Sequence, residues 1–160
     1  MKHRLLPAAV CAALLLAACS GNTLLDEEHT FDRNVWNRFT PELFDLSVSN
    51  IENYYNIDFT VAVDTAVYRY DALPLMIILQ APGGEERQFY GNITLKEQGR
   101  WRGEMRDGYR TVDGRIRSYF SFTSKGTHQM AVSQTTSQYD LEGVHSLSVS
   151  IVRAKIDYDL

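Results

Sequence analysis

Cysteine is scarce in this chain: there are two in 160 residues, Cys11 and Cys19. Both fall near the start, so the body of the chain can hold no disulfide, no cysteine-based metal site and no catalytic thiol. Positive charge is short too, with 16 Lys and Arg against 20 Asp and Glu. That balance argues against a nucleic-acid partner, because neutralising phosphates takes a basic surface. No apolar run beyond residue 18 approaches the roughly 20 residues needed to cross a bilayer. No window keeps helical periodicity for more than a turn or two, which excludes a helical bundle. The chain also lacks a Gly-x-Ser-x-Gly elbow and a glycine-rich phosphate loop followed by an amphipathic helix.

What is present begins with a secretory signal. Residues 1–19, MKHRLLPAAVCAALLLAAC, open with Lys2 and Arg4, continue as an apolar run and end in small residues before Cys19. Leu16-Ala17-Ala18-Cys19 resembles the bacterial lipobox. That resemblance implies cleavage after residue 18 and acylation of Cys19, and several acyl chains at about 0.8 kcal/mol per buried methylene make a stable anchor. Loss of residues 1–18 removes two bases and no acid, which deepens the net charge from −4 to about −6. Residues 20–30, SGNTLLDEEHT, are polar, acidic and without period, and are expected to be a tether.

From Phe31 onward the pattern has period two. Phe44, Leu46 and Val48 alternate with Asp45 and Ser47, and Ile57, Phe59, Val61 and Val63 alternate with Asp58, Thr60 and Ala62. Each run is expected to be a strand with one buried face. Leu75–Leu79 is continuously apolar and reads as a central strand, joined through Ala81-Pro82-Gly83-Gly84-Glu85 to a partner over Phe89–Leu95. Arg115–Phe122 and Thr127–Gln134 are expected to pair around Ser124-Lys125-Gly126, with Leu147–Val152 closing the domain. About eight short strands separated by turns predict an all-β fold, a single antiparallel β-sandwich of immunoglobulin-like or jelly-roll-like type. The expected organisation is a signal peptide over 1–18, a lipidated cysteine and tether over 19–30, and the sandwich over 31–160.

Candidate chemistry is thin. His29, His128 and His145 lack the close spacing of a zinc motif, and no cofactor is implied. Glu97 and Glu104 are an acid pair only on paper, and a solvated surface explains them better. Tyr54, Tyr55, Tyr68, Tyr70, Trp101 and Tyr109 could form a sugar-stacking platform, although strands also use aromatics for core packing. The segment Gly99-Arg100-Trp101-Arg102-Gly103-Glu104 sets two guanidinium groups beside an indole. Alternation puts Trp101 on the face opposite Arg100 and Arg102, so the indole is expected to pack inward while the arginines reach Glu97 or Glu104. Surface contact with a partner or ligand is expected at Tyr54, Tyr55, Tyr109 and Arg110, and the loop Asp107–Gly114 is a second expected contact region.

Several of these features together resemble one family. They are the lipobox, the segment Phe31–Trp36, the hairpin Leu75–Leu95 around Pro82-Gly83-Gly84, Gly99-Arg100-Trp101 with Gly103, and Leu141-Glu142-Gly143-Val144 before Leu147-Ser148-Val149-Ser150-Ile151. In order and spacing they resemble the gliding-motility lipoprotein GldH family of Bacteroidetes. The resemblance implies a non-enzymatic envelope lipoprotein tied to gliding and to the type IX secretion machinery that moves surface adhesins. It implies no catalytic or ligand-binding residue. Surface-export signals in such lipoproteins resemble an acidic patch close behind the cysteine. Asp26-Glu27-Glu28 stands several residues further along, which favours the periplasmic face of the outer membrane. Asp64-Thr65-Ala66 resembles a short O-glycosylation acceptor of periplasmic proteins in the same group, but three residues are weak evidence and a strand end is the better account. The expected partners are the lipid membrane through Cys19 and other envelope proteins. A glycan-binding lipoprotein on the same sandwich is the alternative, since fold does not fix function.

Overall fold

The computed structural model describes residues 21–156. The signal peptide and Cys19 lie outside the described residues. Among the described residues there are thirteen strands: β1 (Thr23–Thr30), β2 (Val35–Asn37), β3 (Glu42–Val48), β4 (Tyr54–Val63), β5 (Ala72–Gln80), β6 (Glu86–Thr94), β7 (Lys96–Glu97), β8 (Arg100–Trp101), β9 (Glu104–Arg106), β10 (Tyr109–Ser121), β11 (Gly126–Gln134), β12 (Asp140–Glu142) and β13 (Val144–Arg153). Nine of them form two antiparallel sheets, in the orders β1-β13-β4-β10-β9 and β3-β11-β5-β6. The other four make two ribbons, β12-β2 and β7-β8. The all-β sandwich expected from the alternation is therefore what the chain forms.

Alternation builds the core directly. Along β4, Tyr55, Ile57, Phe59, Val61 and Val63 are buried while the residues between them are not. In register across the sheet, Val61 faces Leu147 and Val112, and Ile57 faces Ile151, so three strands present one apolar surface. The second sheet answers with Phe44, Leu46, Leu75, Ile77, Met130 and Val132. At roughly 1.5–3 kcal/mol per fully buried large side chain, β4 alone contributes on the order of 10 kcal/mol before chain entropy is counted.

Three expectations are corrected. Residues 23–30 are an edge strand rather than tether, with Leu25 paired to Ile151 and His29 to Leu147. The segment escapes periodic reading because its inward positions after Leu25 are Glu27 and His29, which are polar. Strands β10 and β11 are not a hairpin: β10 pairs with β4 and β9, and β11 with β3 and β5. The link between them crosses from one sheet to the other, with Phe122 buried at the crossing against Tyr55, Phe120 and His128. A short link serves a hairpin or a crossing equally well, because both leave each strand one apolar face. The expected loop Asp107–Gly114 is a tight turn followed by strand. Asp107 and Gly108 have φ of 49° and 85°, the left-handed pair of a two-residue hairpin turn, and Tyr109 faces Arg106.

The sandwich has two ends. At the near end lie the start of β1, the end of β13, the start of β4 and the end of β10, since Thr23 faces Val152, and Tyr54 faces Ser121. At the far end lie Val63, Arg110 and Val144, together with the β2-β12 ribbon.

The sheets are also joined along one edge by β1 and β3. His29 stacks on Phe44 with ring centroids 4.2 Å apart, its Nδ1 lies 2.6 Å from Glu42, and its Nε2 lies 2.7 Å from Glu27. A neutral imidazole carries one N–H, so only the imidazolium donates to both carboxylates at once. Burial pulls the imidazole down, but the hydrogen bonds and charges of Glu27 and Glu42 outweigh it and hold its pKa above the ordinary 6.5. A raised folded-state pKa gives stability that is fully present below pH 6.5 and is lost as pH rises through the raised value. Melting temperature is therefore expected to fall across that window in the parent protein. In His29→Gln that fall should be absent, and an unchanged pH slope in the variant would refute the assignment.

Candidate protein-contact site

The outer faces of the two sheets differ in kind. On the five-stranded sheet the outward positions are Asp26 and Glu28 on β1, Ser148 and Ser150 on β13, Asp58 and Thr60 on β4, and Asp113 and Arg115 on β10. Arg115 grips Asp58 with two hydrogen bonds of 2.7 and 2.9 Å, and Thr60 donates to Asp113 at 2.7 Å. This is the hydrophobic-in, polar-out pattern of a sheet that meets water on one side.

The four-stranded sheet does not follow it. On β5, Leu75, Ile77 and Leu79 point into the core, so Met76 and Ile78 point out, and both are only half-buried. Ile78 faces Ala131, which faces Leu43, while Met76 faces Tyr90 on the other side. The result is an apolar band running obliquely across the sheet, ending in Leu43 at 50% and Tyr90 at 61% exposure. β5 does lie in the interior of its sheet, as expected, but a continuous apolar run usually marks a strand covered on both faces. Among the described residues no element lies over the outer face of this sheet.

The far end carries a second apolar feature. Phe39 and Tyr139 are 72% and 63% exposed with ring centroids 5.4 Å apart. Their loops are held from below: Arg38 N–H donates to the Tyr139 carbonyl at 2.7 Å, and the Asn37 side chain accepts from Phe39 N–H and donates to Asp140. The fully buried Gln134 accepts from the Thr136 backbone and hydroxyl, both at 2.8 Å, and donates to the Gln138 carbonyl at 2.9 Å. Buried amides satisfied in this way fix a loop rather than loosen it.

The residues expected to make contact do not converge. Tyr54 is 44% exposed at the near end, beside an open hollow of about 550 Å³. Tyr55 is corrected: it is 2% exposed, pointing into the core against Phe122, because the alternation of β4 turns adjacent side chains to opposite faces. Tyr109 is half-buried at the far end, stacked on His145 at 3.9 Å, with His145 Nδ1 2.9 Å from the Asn34 side-chain oxygen. Arg110, beside it, donates to the Gly103 carbonyl at 3.3 Å. The length of β4 separates the two pairs by about 30 Å at ~3.3 Å per residue. Of the six aromatics considered as a stacking platform, Tyr54 alone is exposed; Tyr55 and Tyr68 are buried and the others are half-buried.

The segment Gly99–Glu104 is mostly turn and ribbon. Gln98 and Gly99 form a left-handed pair between β7 and β8, and Trp101 is half-buried against the core with the Lys96 ammonium 4.5 Å from its ring. Arg100 and Arg102 face solvent as the alternation requires, and Arg102 reaches Glu97 at 3.5 Å. Glu104 pairs with Arg106 instead. Asp64-Thr65-Ala66 forms the turn after β4, where the Asp64 side chain accepts from Ala66 N–H at 2.9 Å. Sequence reading missed the outward half of β5 because a continuous run does not say which of its faces is covered.

The model of the GldH lipoprotein family matches residues 23–151, from the first strand to the last. The chain belongs to the GldH lipoprotein family. The matched range begins with β1, in agreement with the strand found there rather than with a domain starting at residue 31. Neither the curated proteins nor the solved structures gave a match. Among the described residues of this lipoprotein no helix is long and apolar enough to cross a membrane.

Proposed function

We propose that this GldH-family lipoprotein is held in the outer membrane by acylated Cys19, on the periplasmic face. There it works without catalysis, as a contact module for the gliding and type IX secretion machinery. The observation that carries the reading is the apolar band Leu43, Ala131, Ile78, Met76 and Tyr90 on an open sheet face. An uncovered band of this kind is the sort of surface a second protein covers, with the tyrosine supplying an aromatic anchor at its rim. Ser150 on the polar sheet provides the internal control.

The test is to replace the native gene with one encoding Ile78→Glu or, separately, Ser150→Glu, and to measure colony spreading and the release of type IX substrates. Ile78→Glu is expected to fall to the level of a gene deletion while its abundance in the membrane fraction stays normal. Ser150→Glu is expected to behave like the parent. Parental spreading and secretion by Ile78→Glu would refute the assignment of this face.

A further inference from the structure

The near end of the sandwich does not look like an ordinary polar sandwich edge. Ile51, Tyr54, Val152 and Ile156 are 41%, 44%, 36% and 41% exposed there. The hollow of about 550 Å³ at this end is lined by Tyr54, Val152 and Ile156 together with Arg153, Lys155 and Glu52. The chain is fastened to the same place: Arg153 N–H donates to the Asn22 carbonyl at 2.7 Å, and Ala154 N–H to the Tyr54 carbonyl at 2.8 Å.

Asn22 is three residues from Cys19. Three residues fully extended span at most about 11 Å. That is about the diameter of one α-helix, 10–12 Å, so no folded partner fits between this end and the surface that holds the acyl chains. We propose that the near end rests directly on the lipid headgroups, with Ile51, Tyr54, Val152 and Ile156 entering the interface and Arg153 and Lys155 at headgroup depth. The proposal rests on the reading of Cys19 as acylated.

The residue types match that setting. Tyrosine is enriched at the membrane interface because its ring is apolar and its hydroxyl is wet, and basic side chains extend to anionic lipid. Two bases against one acid in the hollow give local positive charge on a chain whose net charge is −4. Elsewhere on this end Lys125 and Arg87 stand against Glu85 and Glu86, which leaves the hollow as the place where base exceeds acid. Docking fixes the orientation: β4 runs away from the membrane and β13 returns toward it, so the apolar sheet band faces sideways and the Phe39–Tyr139 pair points outward.

The experiment uses the full lipidated protein in vesicles of phosphatidylethanolamine and phosphatidylglycerol. The mature chain has no cysteine besides Cys19, so Val152→Cys at the near end and Val67→Cys at the far end each give one labelling site for an environment-sensitive fluorophore. The label at position 152 is expected to shift to shorter wavelength and to be quenched by nitroxide-bearing lipids, and the label at position 67 to do neither. Adding Tyr54→Asp and Ile156→Asp to Val152→Cys should abolish the quenching while the protein still floats with the vesicles. A protein that floats while its label at position 152 stays in water, or is quenched equally at both positions, overturns the proposal alone. A protein that lacks acyl mass and does not float overturns the acylation of Cys19, and the proposal with it.

Discussion

Gly103→Ala is expected to destabilise the domain by about 3 kcal/mol, combining ~1–2 kcal/mol for a left-handed non-glycine residue with ~1–3 kcal/mol for overpacking. Gly103 sits at φ 69°, and a Cβ there would stand 1.9 Å from the Thr111 carbonyl oxygen and 2.9 Å from its carbon. Both are backbone atoms of Thr111 near the start of β10, where the strand is paired with β4 on one side and β9 on the other. They cannot swing away as a side-chain tip could. The chain must therefore lift β9 from β10 or distort both. A midpoint lower by roughly 10 °C is the expected result in thermal unfolding at neutral pH. Gly99→Ala is the comparison, since a Cβ at Gly99 meets nothing within 4 Å and carries only the backbone penalty. If the two variants melted together, the close approach at Gly103 would not be the reason glycine is needed there.

Trp36→Ala is expected to lose about 3–5 kcal/mol, the usual range for emptying a buried aromatic site. Trp36 is 1% exposed, stacks on Phe31 with centroids 4.9 Å apart, and its indole N–H donates to the Thr40 carbonyl at 3.4 Å. It is the middle residue of β2, and its partner in β12 is Leu141, itself buried. Removal empties the space under the far-end ribbon and frees the loop that carries Phe39. Urea unfolding followed by circular dichroism should show a midpoint shift of this size. Trp101 emission provides a second probe that the substitution leaves in place. A loss below about 1 kcal/mol would mean that the ribbon packs independently of the indole. With total stabilities usually between about 5 and 15 kcal/mol, either variant could bring the domain near its unfolding limit.

Much of the fold was legible in single strands. The alternations at Phe44–Val48 and Ile57–Val63 set which side chains go in, and the Pro82-Gly83-Gly84 turn joins β5 to β6 as its composition implies. The inward Trp101 and outward Arg100 also follow from period two, because in β8 neighbouring side chains take opposite faces, and Arg102 just past its end faces solvent as well. Asp107-Gly108 was equally legible as a hairpin turn, since Asp-Gly readily adopts the left-handed pair; the charged residues around it made a loop look natural. β1 was not legible. Its inward Glu27 and His29 break the apolar pattern, and they fit only because Glu42 and Phe44 arrive from the other sheet to pair and stack with His29.

The candidate site was less legible than the fold. Leu43, Ile78, Ala131 and Tyr90 come from four strands spread over nearly ninety positions of sequence, and nothing local links them. The Tyr54 and Tyr55 pair shows the same limit: adjacency in sequence is opposition in a strand, and which of the two meets solvent depends on where the second sheet lies.

Side-chain period and motif order alone set the β class, the inward face of the cleanly alternating strands and the family, because none of these depends on which strands become neighbours. The placing of β10 and β11 in different sheets, the joining of β1 to the sandwich and the uncovered apolar face of β5 emerge from packing across the whole chain. Strand pairing is a long-range choice between surfaces of equal alternation, and it is decided by which partners already occupy each edge.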